Sequence, residues 1–312
     1  MRKAFSDTLV DVAKKNPKVI FLTGDLGFQV FDDFIAQFPT RYINVGVAEA
    51  QLVNTAVGLA LEGWRPIVYS IASFVTARPF EQIRFGIAYH DLPIMVIGAG
   101  GGFTYAKAGV THHAADDLAL MGSLPGMALV VPGGPDELRE LMPQMLKLKG
   151  PSYLRVGKFG EPEIMHDSKI ELGKARELVK GEKVAIITAG DIVSAIYPKL
   201  HELQAHGLKP SLYHFHTIKP FDRACLDEIS KRHKIVVIIE ESIPQGGLYH
   251  EACVWKTETN NNLRIMRRGA PDAFVLGNPG REELRNRIGV DLDSLDILLK
   301  QIQANSGADI GP

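Results

Sequence analysis

The sequence predicts an α/β protein made of two doubly wound domains, each with a mostly parallel sheet. Short β-branched runs alternate with helical patterns along the chain, and a polar stretch separates two such series. The length of 312 residues also suits two domains of roughly 150 residues each. Because parallel strands need crossover connections, this alternation indicates sheets covered by helices on both faces.

The first series contains six runs that are too short for helices and are bounded by turn residues, which is typical of strands. They are Val19–Thr23, Tyr42–Val45, Pro66–Ser70, Ile94–Gly98, Ala128–Val131 and Tyr153–Val156. Between them, apolar residues recur at three- and four-residue spacing, which predicts helices. These segments are Val47–Glu62, Phe74–Tyr89 and Pro135–Leu148.

A polar stretch from Phe159 to Gly181 interrupts the pattern and predicts a linker, because it contains Gly160, Pro162 and several charges. The second series then predicts three more strands and three more helices. The strands are Val184–Thr188, Ser211–Phe215 and Ile235–Ile239, and the helices lie near Asp191–His206, Asp222–Lys231 and Gly246–Lys256.

Composition excludes several classes of protein. The 35 Lys+Arg and 36 Asp+Glu give a formal charge of −1, and no basic block is present, so we expect no nucleic-acid partner. Asp7 and Asp11 break the apolar stretch that a secretory signal would need, and no run approaches the roughly 18 apolar residues of a membrane span. Two cysteines, Cys225 and Cys253, exclude a disulfide scaffold. We therefore expect a cytoplasmic protein.

Glycines follow the predicted strand Ile94–Gly98, where dinucleotide-binding proteins carry their phosphate loop. The run Gly98–Gly102 does not fit G-x-G-x-x-G, because the third glycine would fall on Phe103. The sequence also lacks G-x-x-x-x-G-K-[ST] and G-x-S-x-G, which argues against a P-loop and a nucleophile elbow.

Two other clusters have both an ordinary and a functional interpretation. His112 and His113 stand near Asp116 and Asp117, but adjacent histidines point to different sides and the spacing is not that of a zinc motif, so we predict no metal site. Glu49 falls in the first turn of a predicted helix. There a carboxylate is favourable against the helix dipole by itself, and local sequence alone favours that interpretation.

The order of motifs along the chain favours a functional interpretation of Glu49 over the helix-dipole interpretation. The sequence resembles the C-terminal portion of transketolases over nearly its whole length. The motifs that carry this resemblance are Gly46–Glu49, Gly58–Pro66, Ser73-Phe74, Glu81–Arg84, Thr111–His113, Asp117–Pro125, Gly150–Arg155, Thr217–Asp222, Glu240–Ser242 and Gly246-Gly247.

The resemblance implies a pyrimidine-binding (thiamine diphosphate) domain at residues 1–165, a linker at 166–180 and a transketolase C-terminal-like domain at 181–312. The family's diphosphate-binding domain has no counterpart here. Its Gly-Asp-Gly motif is not present, since Gly24-Asp25-Leu26 and Gly190-Asp191-Ile192 lack the second glycine. The chain therefore resembles one half of a split transketolase.

Family roles carry over to individual residues. Glu49 matches the glutamate that hydrogen-bonds N1′ of the aminopyrimidine, so that the cofactor's own 4′ nitrogen can act as a base. Phe74 matches the aromatic residue stacked on the pyrimidine, although a helix-core residue is the ordinary alternative.

The other carried-over roles concern the substrate and the contact between subunits. His112 matches a histidine near the reacting carbon, with a catalytic and substrate-binding role. Arg155 matches an arginine that grips a sugar phosphate, and a structural ion pair is its alternative. Asp25 matches an acidic residue near the cofactor, where two subunits of the family meet.

The sequence departs from the family at two places. Ala108-Gly-Val-Thr-His112 replaces Asp-Gly-Pro-Thr-His, and Ala99–Gly102 replaces a second family histidine. A site that hydrogen-bonds a hydroxyl discriminates strongly against ligands that lack it. We therefore hypothesise an acceptor other than a standard aldose phosphate, with the smaller residues leaving room for a different sugar.

The sequence thus predicts a transferase of carbohydrate metabolism that moves a two-carbon ketol unit from a ketose to an aldehyde. It would use thiamine diphosphate and Mg²⁺, held mainly by a transketolase N-terminal-type subunit in an α2β2 heterotetramer. Two alternatives remain: a β-type half of another thiamine enzyme (2-oxo acid dehydrogenase or deoxyxylulose-phosphate synthase), and a non-catalytic regulatory subunit.

Overall fold

The computed structural model describes residues 1–164, 166–200 and 209–308, and it confirms the α/β fold class. The strands are β1 (Val19–Thr23), β2 (Tyr42–Asn44), β3 (Arg65–Ile71), β4 (Met95–Ala99), β5 (Ala128–Val130), β6 (Ser152–Val156), β7 (Arg176–Val179), β8 (Lys183–Thr188), β9 (Ser211–His214), β10 (Thr217–Lys219), β11 (His233–Glu240) and β12 (Arg264–Gly269). The helices are α1 (Arg2–Lys15), α2 (Asp32–Gln37), α3 (Glu49–Leu61), α4 (Ala72–Ala77), α5 (Asp117–Gly122), α6 (Pro135–Met145), α7 (Ile192–Ile196), α8 (Arg223–Arg232), α9 (Leu248–Glu258), α10 (Arg281–Arg287) and α11 (Leu292–Ala308).

The first sheet has the strand order β10-β5-β6-β4-β3-β1-β2. Its strands β1 to β6 pair in parallel, for example Phe21 with Ile67 and Val96 with Tyr153. The carboxyl ends of these strands therefore meet at one edge of the sheet, which is where open α/β sheets bind ligands.

The second sheet has the order β12-β11-β8-β9-β7, parallel except for β7. Strand β7 lies at Arg176–Val179, inside the segment that the sequence pattern assigned to the linker, and it joins this sheet antiparallel to β9. Four residues with alternating burial are too few for periodicity to separate from a polar connection. The domain limits given above stay a prediction.

Strand pairing and apolar packing join the two halves of the chain, in addition to the linker. Strand β10, which follows β9 of the second sheet, pairs antiparallel with β5 of the first. One apolar cluster also spans both halves, joining Leu52 and Val96 of the first to Ala185 and Trp255 of the second. The second half therefore packs directly against the first.

A buried charged cluster crosses the same boundary. Arg176 of β7 and Glu137 of α6 are fully buried, and Nη1 of Arg176 donates to Oε1 of Glu137 at 2.6 Å. His214 Nε2 lies 3.1 Å from Oε2 of the same carboxylate, and Gly133 N donates to that oxygen at 2.7 Å. Burial alone would raise the pKa of Glu137, but the basic and hydrogen-bonding neighbours outweigh it and hold that pKa well below its ordinary value.

The predicted helices differ from the structure mainly at their ends. The segment Phe74–Tyr89 is not one α-helix, because α4 ends at Ala77 and a π-helical segment follows at Gln82–Ala88. Residues 201–206 of the helix predicted near Asp191–His206 lie outside the described residues. Within the described ranges, no helix is both long enough and apolar enough to cross a membrane.

Candidate functional site

The candidate residues lie at the carboxyl-terminal edge of the first sheet. Asp25 follows β1, Glu49 follows β2, Phe74 follows β3 and His112 lies in the long connection after β4. Because these strands are parallel and adjacent, four segments that are distant in sequence converge on one side of the sheet.

Glu49 is the first residue of α3, and its side chain is buried. Nη1 of Arg78 lies 3.0 Å from Oε1 and 3.1 Å from Oε2 of the carboxylate, so one guanidinium nitrogen serves both oxygens. The start of a helix is a favourable place for a negative charge. The arginine is half exposed, so it covers the carboxylate from the solvent side.

Arg78 also contacts Phe74, and Phe74 in turn contacts His112. The guanidinium carbon of Arg78 lies 3.8 Å from the centre of the Phe74 ring, a cation–π contact. The Phe74 ring centre lies 5.0 Å from that of His112. The structure therefore brings together the carboxylate, the aromatic ring and the imidazole that the resemblance selected, and it adds an arginine between them.

The electrostatic surroundings of His112 favour a neutral imidazole. Its pKa is lowered by partial burial, and then by the positive charges of Lys158 and Arg78 and by His113. Nδ1 lies 2.9 Å from Oγ1 of Thr111. A neutral imidazole with one nitrogen anchored can offer the other to a substrate oxygen.

Lys158 is a further candidate site residue, which the sequence interpretation missed. Its ammonium group lies 4.1 Å from the centre of the Tyr105 ring and 4.9 Å from that of Phe159. Among the described residues it has no carboxylate partner, and burial together with Arg2 lowers its pKa. The signal in the sequence is a lone lysine two residues after β6, in the position that a ligand-binding residue takes at a strand's carboxyl end.

A cavity of about 610 Å³ opens beside Lys158. Its lining also includes Tyr105, Lys107, Ala108 and Arg281. Arg281 is paired with Asp191 and Glu241, so Lys158 and Lys107 are the lining cations that have no carboxylate partner among the described residues. A basic cavity of this volume suits a small anionic ligand such as a sugar phosphate.

Arg155, in contrast, is engaged within the protein. Its Nε donates to Oδ2 of Asp117 at 2.9 Å, its Nη2 also pairs with that carboxylate, and Ser242 Oγ lies 3.4 Å away. Tyr153 donates to the same carboxylate at 2.6 Å. Burial would lower the pKa of Arg155, but Asp117 outweighs it and raises it. This geometry favours the structural ion pair over the phosphate grip.

Asp25 is exposed on the loop after β1. Asn44 Nδ2 lies 3.5 Å from its Oδ1, too far for a strong hydrogen bond. The loop nevertheless adjoins the approach to Glu49, because a Cβ on Gly24 would lie 3.1 Å from the carbonyl oxygen of Gly46. A role for Asp25 toward a cofactor stays a prediction that depends on a second subunit.

His113 faces away from this cluster. Its ring packs edge-on against Phe103 at 5.1 Å, and its Nε2 lies 3.2 Å from the carbonyl oxygen of Ala106. The side chain thus supports the fold of its own loop, which agrees with the sequence expectation that neighbouring histidines diverge.

The glycines after β4 do not enlarge the site. A Cβ on Gly100 would collide with the ring of Tyr105, and one on Gly101 would collide with the side chain of Arg155. The expectation that small residues leave room is therefore wrong at these two positions, because neighbouring side chains already fill the space. Room remains beside Ala108, which lines the basic cavity.

The donor set fits the edge of an aminopyrimidine. A buried carboxylate can accept or share a proton at a ring nitrogen, and an aromatic face beside it suits a flat heteroaromatic ring. Among residues 1–164, 166–200 and 209–308, no group of three or more His, Cys, Asp or Glu side chains could hold a metal ion.

Comparisons with known proteins agree with the α/β fold described above. Residues 1–159 match the family model described as "Transketolase, pyrimidine binding domain", and residues 173–295 match "Transketolase, C-terminal domain". A solved structure described as "Split gene transketolase, inactive beta4 tetramer" superposes with a TM-score of 0.87 at 29% identity, covering 96% of this chain and 97% of that one.

Two relatives illustrate the range of the matches. A subunit of the apulose-4-phosphate transketolase of Phocaeicola vulgatus is 30% identical over 94% of this chain and 94% of its own length. A 1-deoxy-D-xylulose-5-phosphate synthase of Geobacter sulfurreducens is 29% identical over 97% of this chain, which spans only 48% of that protein.

Proposed function

The chain belongs to the transketolase family, and we propose that it is the C-terminal subunit of a split, thiamine diphosphate-dependent transketolase. In this proposal it transfers a two-carbon ketol unit from a ketose to an aldehyde acceptor, together with an N-terminal-type subunit. The observation that carries the proposal is the Glu49 carboxylate, which is buried at the start of α3 and bonded to Arg78. Arg78 in turn lies over the ring of Phe74, and that ring contacts His112.

Bound thiamine diphosphate would supply the carbon nucleophile and electron sink of ketol transfer. In our proposal Glu49 holds a proton at N1′ of the aminopyrimidine, and its burial strengthens that hydrogen bond. Phe74 provides the flat surface against which the ring lies. Arg78 now occupies both oxygens of Glu49, so it would turn aside or share the carboxylate when the ring is present.

The substrate side of the proposed site consists of His112 and Lys158. A neutral imidazole at His112 can hydrogen-bond a substrate hydroxyl or carbonyl and relay its proton. Lys158 lines a basic cavity that suits a terminal phosphate. The acceptor would be a sugar or sugar phosphate that differs from the standard aldoses near Ala108, where the family's aspartate is missing.

The second subunit would supply the diphosphate and Mg²⁺ sites. The Gly-Asp-Gly motif is missing from this sequence, and the described residues offer no metal-binding cluster. The exposed Asp25 and the half-exposed Arg78 lie at the edge that such a subunit would cover. We propose two copies of each subunit, so that each site forms between unlike chains.

The nearest rival is a half of another thiamine enzyme, such as a deoxyxylulose-phosphate synthase. The similarity to that enzyme from Geobacter sulfurreducens extends over almost all of this chain, so identity alone does not discriminate. The match to a separate transketolase subunit of nearly equal length in Phocaeicola vulgatus favours a split transketolase. A 2-oxo acid dehydrogenase β-type chain and a regulatory subunit are the remaining alternatives.

The test uses the chain co-purified with the N-terminal-type subunit. We expect thiamine diphosphate to bind tightly to the pair with Mg²⁺ and poorly to this chain alone. We also expect the pair to transfer a ketol unit from a ketose to an aldehyde, without decarboxylating pyruvate. Pyruvate consumption would favour the synthase or dehydrogenase alternatives. Tight metal-dependent binding by the isolated chain would contradict the split site.

Acceptor choice is tested in the same assay. A panel of ribose- and glucose-type aldoses is compared with branched and substituted aldehydes of similar size, with and without a phosphate. We expect the standard aldoses to be poor acceptors. High rates with them would overturn the proposal of an unusual acceptor, while leaving ketol transfer itself in place.

A further inference from the structure

The connection that carries His112 is a closed loop. Gly102 N donates to Ala114 O at 3.1 Å and Ala114 N donates to Gly102 O at 2.9 Å, so residues 103–113 form an excursion with a pinched base. Within it, His112 N donates to Gly109 O at 3.0 Å. The backbone of His112 is therefore part of a loop that is closed at this base.

A segment from the second half of the chain holds both sides of the base. Oε2 of Glu241 accepts from Phe103 N at 3.1 Å. Ile243 N donates to Ala115 O at 2.9 Å. Gly102, with φ +58°, fits closely here, because a Cβ on it would lie 2.8–2.9 Å from the side chain and carbonyl oxygen of Glu241.

Glu241 is itself held rigidly. Arg281 donates to its Oε2 at 2.8 Å, and Arg285 pairs with its Oε1. Arg281 also grips both oxygens of Asp191, at 2.8 Å each. Burial would raise the pKa of Glu241, but the two arginines outweigh it and keep that pKa well below its ordinary value.

Stability alone does not require a buried ionic cluster, since apolar residues can often replace one without loss of stability. What the cluster adds is direction, because two guanidinium groups hold the Glu241 carboxylate in place while its Oε2 accepts from Phe103 N. We propose that Glu241 is a positioning residue, which fixes the His112 loop from the second half of the chain. This inference rests on the proposed function for the role of His112.

Glu240 provides a matched control. It is also a buried glutamate at the end of β11, and it accepts from Leu248 N at 2.9 Å and Tyr249 N at 3.2 Å while facing Arg267. All these partners lie in the second half of the chain. Loss of its charge should therefore disturb that half without reaching the loop.

The test compares Glu241→Gln and Glu241→Asp with Glu240→Gln in the full chain. The aspartate keeps the charge between the arginines but withdraws the carboxylate from Phe103 N, so it decides the outcome if the glutamine variant does not fold. Amide hydrogen exchange is followed across residues 103–113, and the imidazole of His112 is titrated by NMR.

For both Glu241 variants we expect at least tenfold faster exchange in the loop. We also expect the pKa of His112 to rise toward its ordinary value, because partial burial is the largest cause that lowers it. Glu240→Gln should leave both readouts unchanged even where it lowers the melting temperature. Unchanged exchange and titration in Glu241→Asp would overturn the proposal.

Activity of the assembled pair provides a separate readout. If Glu241 positions His112, kcat falls at least tenfold in the Glu241 variants and the pH profile of kcat/KM shifts with the imidazole. If wild-type protein shows loop protection but no ketol transfer, the proposed function fails while the positioning role of Glu241 stands. The two failures are therefore distinguishable.

Discussion

The guanidinium of Arg78 holds both carboxylate oxygens of Glu49, at 3.0 and 3.1 Å. Glu49 is buried and Arg78 is half exposed, so the pair closes the carboxylate off at the edge where the first sheet's strands end. The arginine also lies 3.8 Å above the ring of Phe74. It therefore occupies the face against which a pyrimidine ring would lie in the proposed site.

We predict that Glu49→Gln abolishes ketol transfer with little effect on stability. The amide cannot share a proton as the carboxylate does, and loss of a positioned acid–base group typically costs about 10²–10⁴-fold in rate. The Glu49–Arg78 pair is partly solvated, so its loss should change the free energy of unfolding by no more than about 1 kcal/mol. Steady-state kinetics of the subunit pair and chemical denaturation of the chain measure the two effects.

Glu81 offers a control for Glu49→Gln. It forms a two-bonded pair with Arg84 at 2.8 and 2.9 Å, but on an exposed surface. Glu81→Gln should leave ketol transfer unchanged. Equal activity in the Glu49 and Glu81 variants would point instead to a non-catalytic, regulatory subunit.

We predict that Lys158→Met selectively weakens the binding of phosphorylated acceptors. Loss of a charge-assisted hydrogen bond worth about 1.5–3 kcal/mol should raise KM for a phosphorylated aldehyde about 10- to 100-fold. KM for the same aldehyde without phosphate should be unchanged. Because the positive charge of Lys158 lowers the pKa of His112, its removal should also raise that pKa.

Lys107→Met is the matched control for the effect on His112, because Lys107 lines the same cavity but is exposed and is not among the groups that lower the pKa of His112. An equal loss for phosphorylated and unphosphorylated acceptors in Lys158→Met would exclude a phosphate contact. An unchanged His112 titration, followed by NMR, would exclude the electrostatic coupling.

The sequence supplied the fold class and most strands of both sheets because buried parallel strands are continuous apolar runs between turn residues. It missed β10, since Thr217–Lys219 is only three residues long and pairs with β5 of the other half. It also missed β12, whose residues Arg264–Gly269 are mostly half-buried and rich in arginine. Neither β10 nor β12 can be recognised from its own residues without knowledge of the strand with which it pairs.

At the candidate site, motif order selected Glu49, Phe74 and His112, which the structure brings together. The sequence could not reveal Arg78, because its contact with Glu49 joins two residues that are 29 positions apart. Nor could it distinguish the two basic residues around β6. Arg155 points to the buried Asp117, whereas Lys158 lines an open cavity, and only the path of the chain separates them.

We predict that Arg155→Met destabilises the protein before it affects substrate binding. Among the described residues, the variant leaves the buried Asp117 with Tyr153 as its one side-chain donor, and breaking such a pair typically costs about 3–5 kcal/mol. The double variant Arg155→Met, Asp117→Asn removes the stranded charge and should recover part of that loss. Denaturation and KM measurements separate the structural role from phosphate binding. A large rise in KM at unchanged stability would show that Arg155 binds the phosphate.

The last prediction concerns His216, a buried histidine at the junction of the two halves. Its Nδ1 lies 3.0 Å from Thr217 Oγ1, while its Nε2 is buried and has no hydrogen-bond partner among the described residues. Burial lowers its pKa to about 4, with Glu137 opposing this shift and His214 and Arg176 adding to it. The imidazole is therefore neutral in the folded protein at neutral pH.

A histidine whose folded pKa is depressed stabilises the fold above its unfolded pKa of 6.5, and that stability is lost as pH falls toward the folded value. Between pH 7 and pH 5 the loss should be about 2 kcal/mol. Urea denaturation should show His216→Asn losing about that much less than wild type over the same interval. His90→Asn, at an exposed histidine, should follow wild type. Parallel pH dependences for wild type and His216→Asn would mean that His216 takes up its proton in the folded protein.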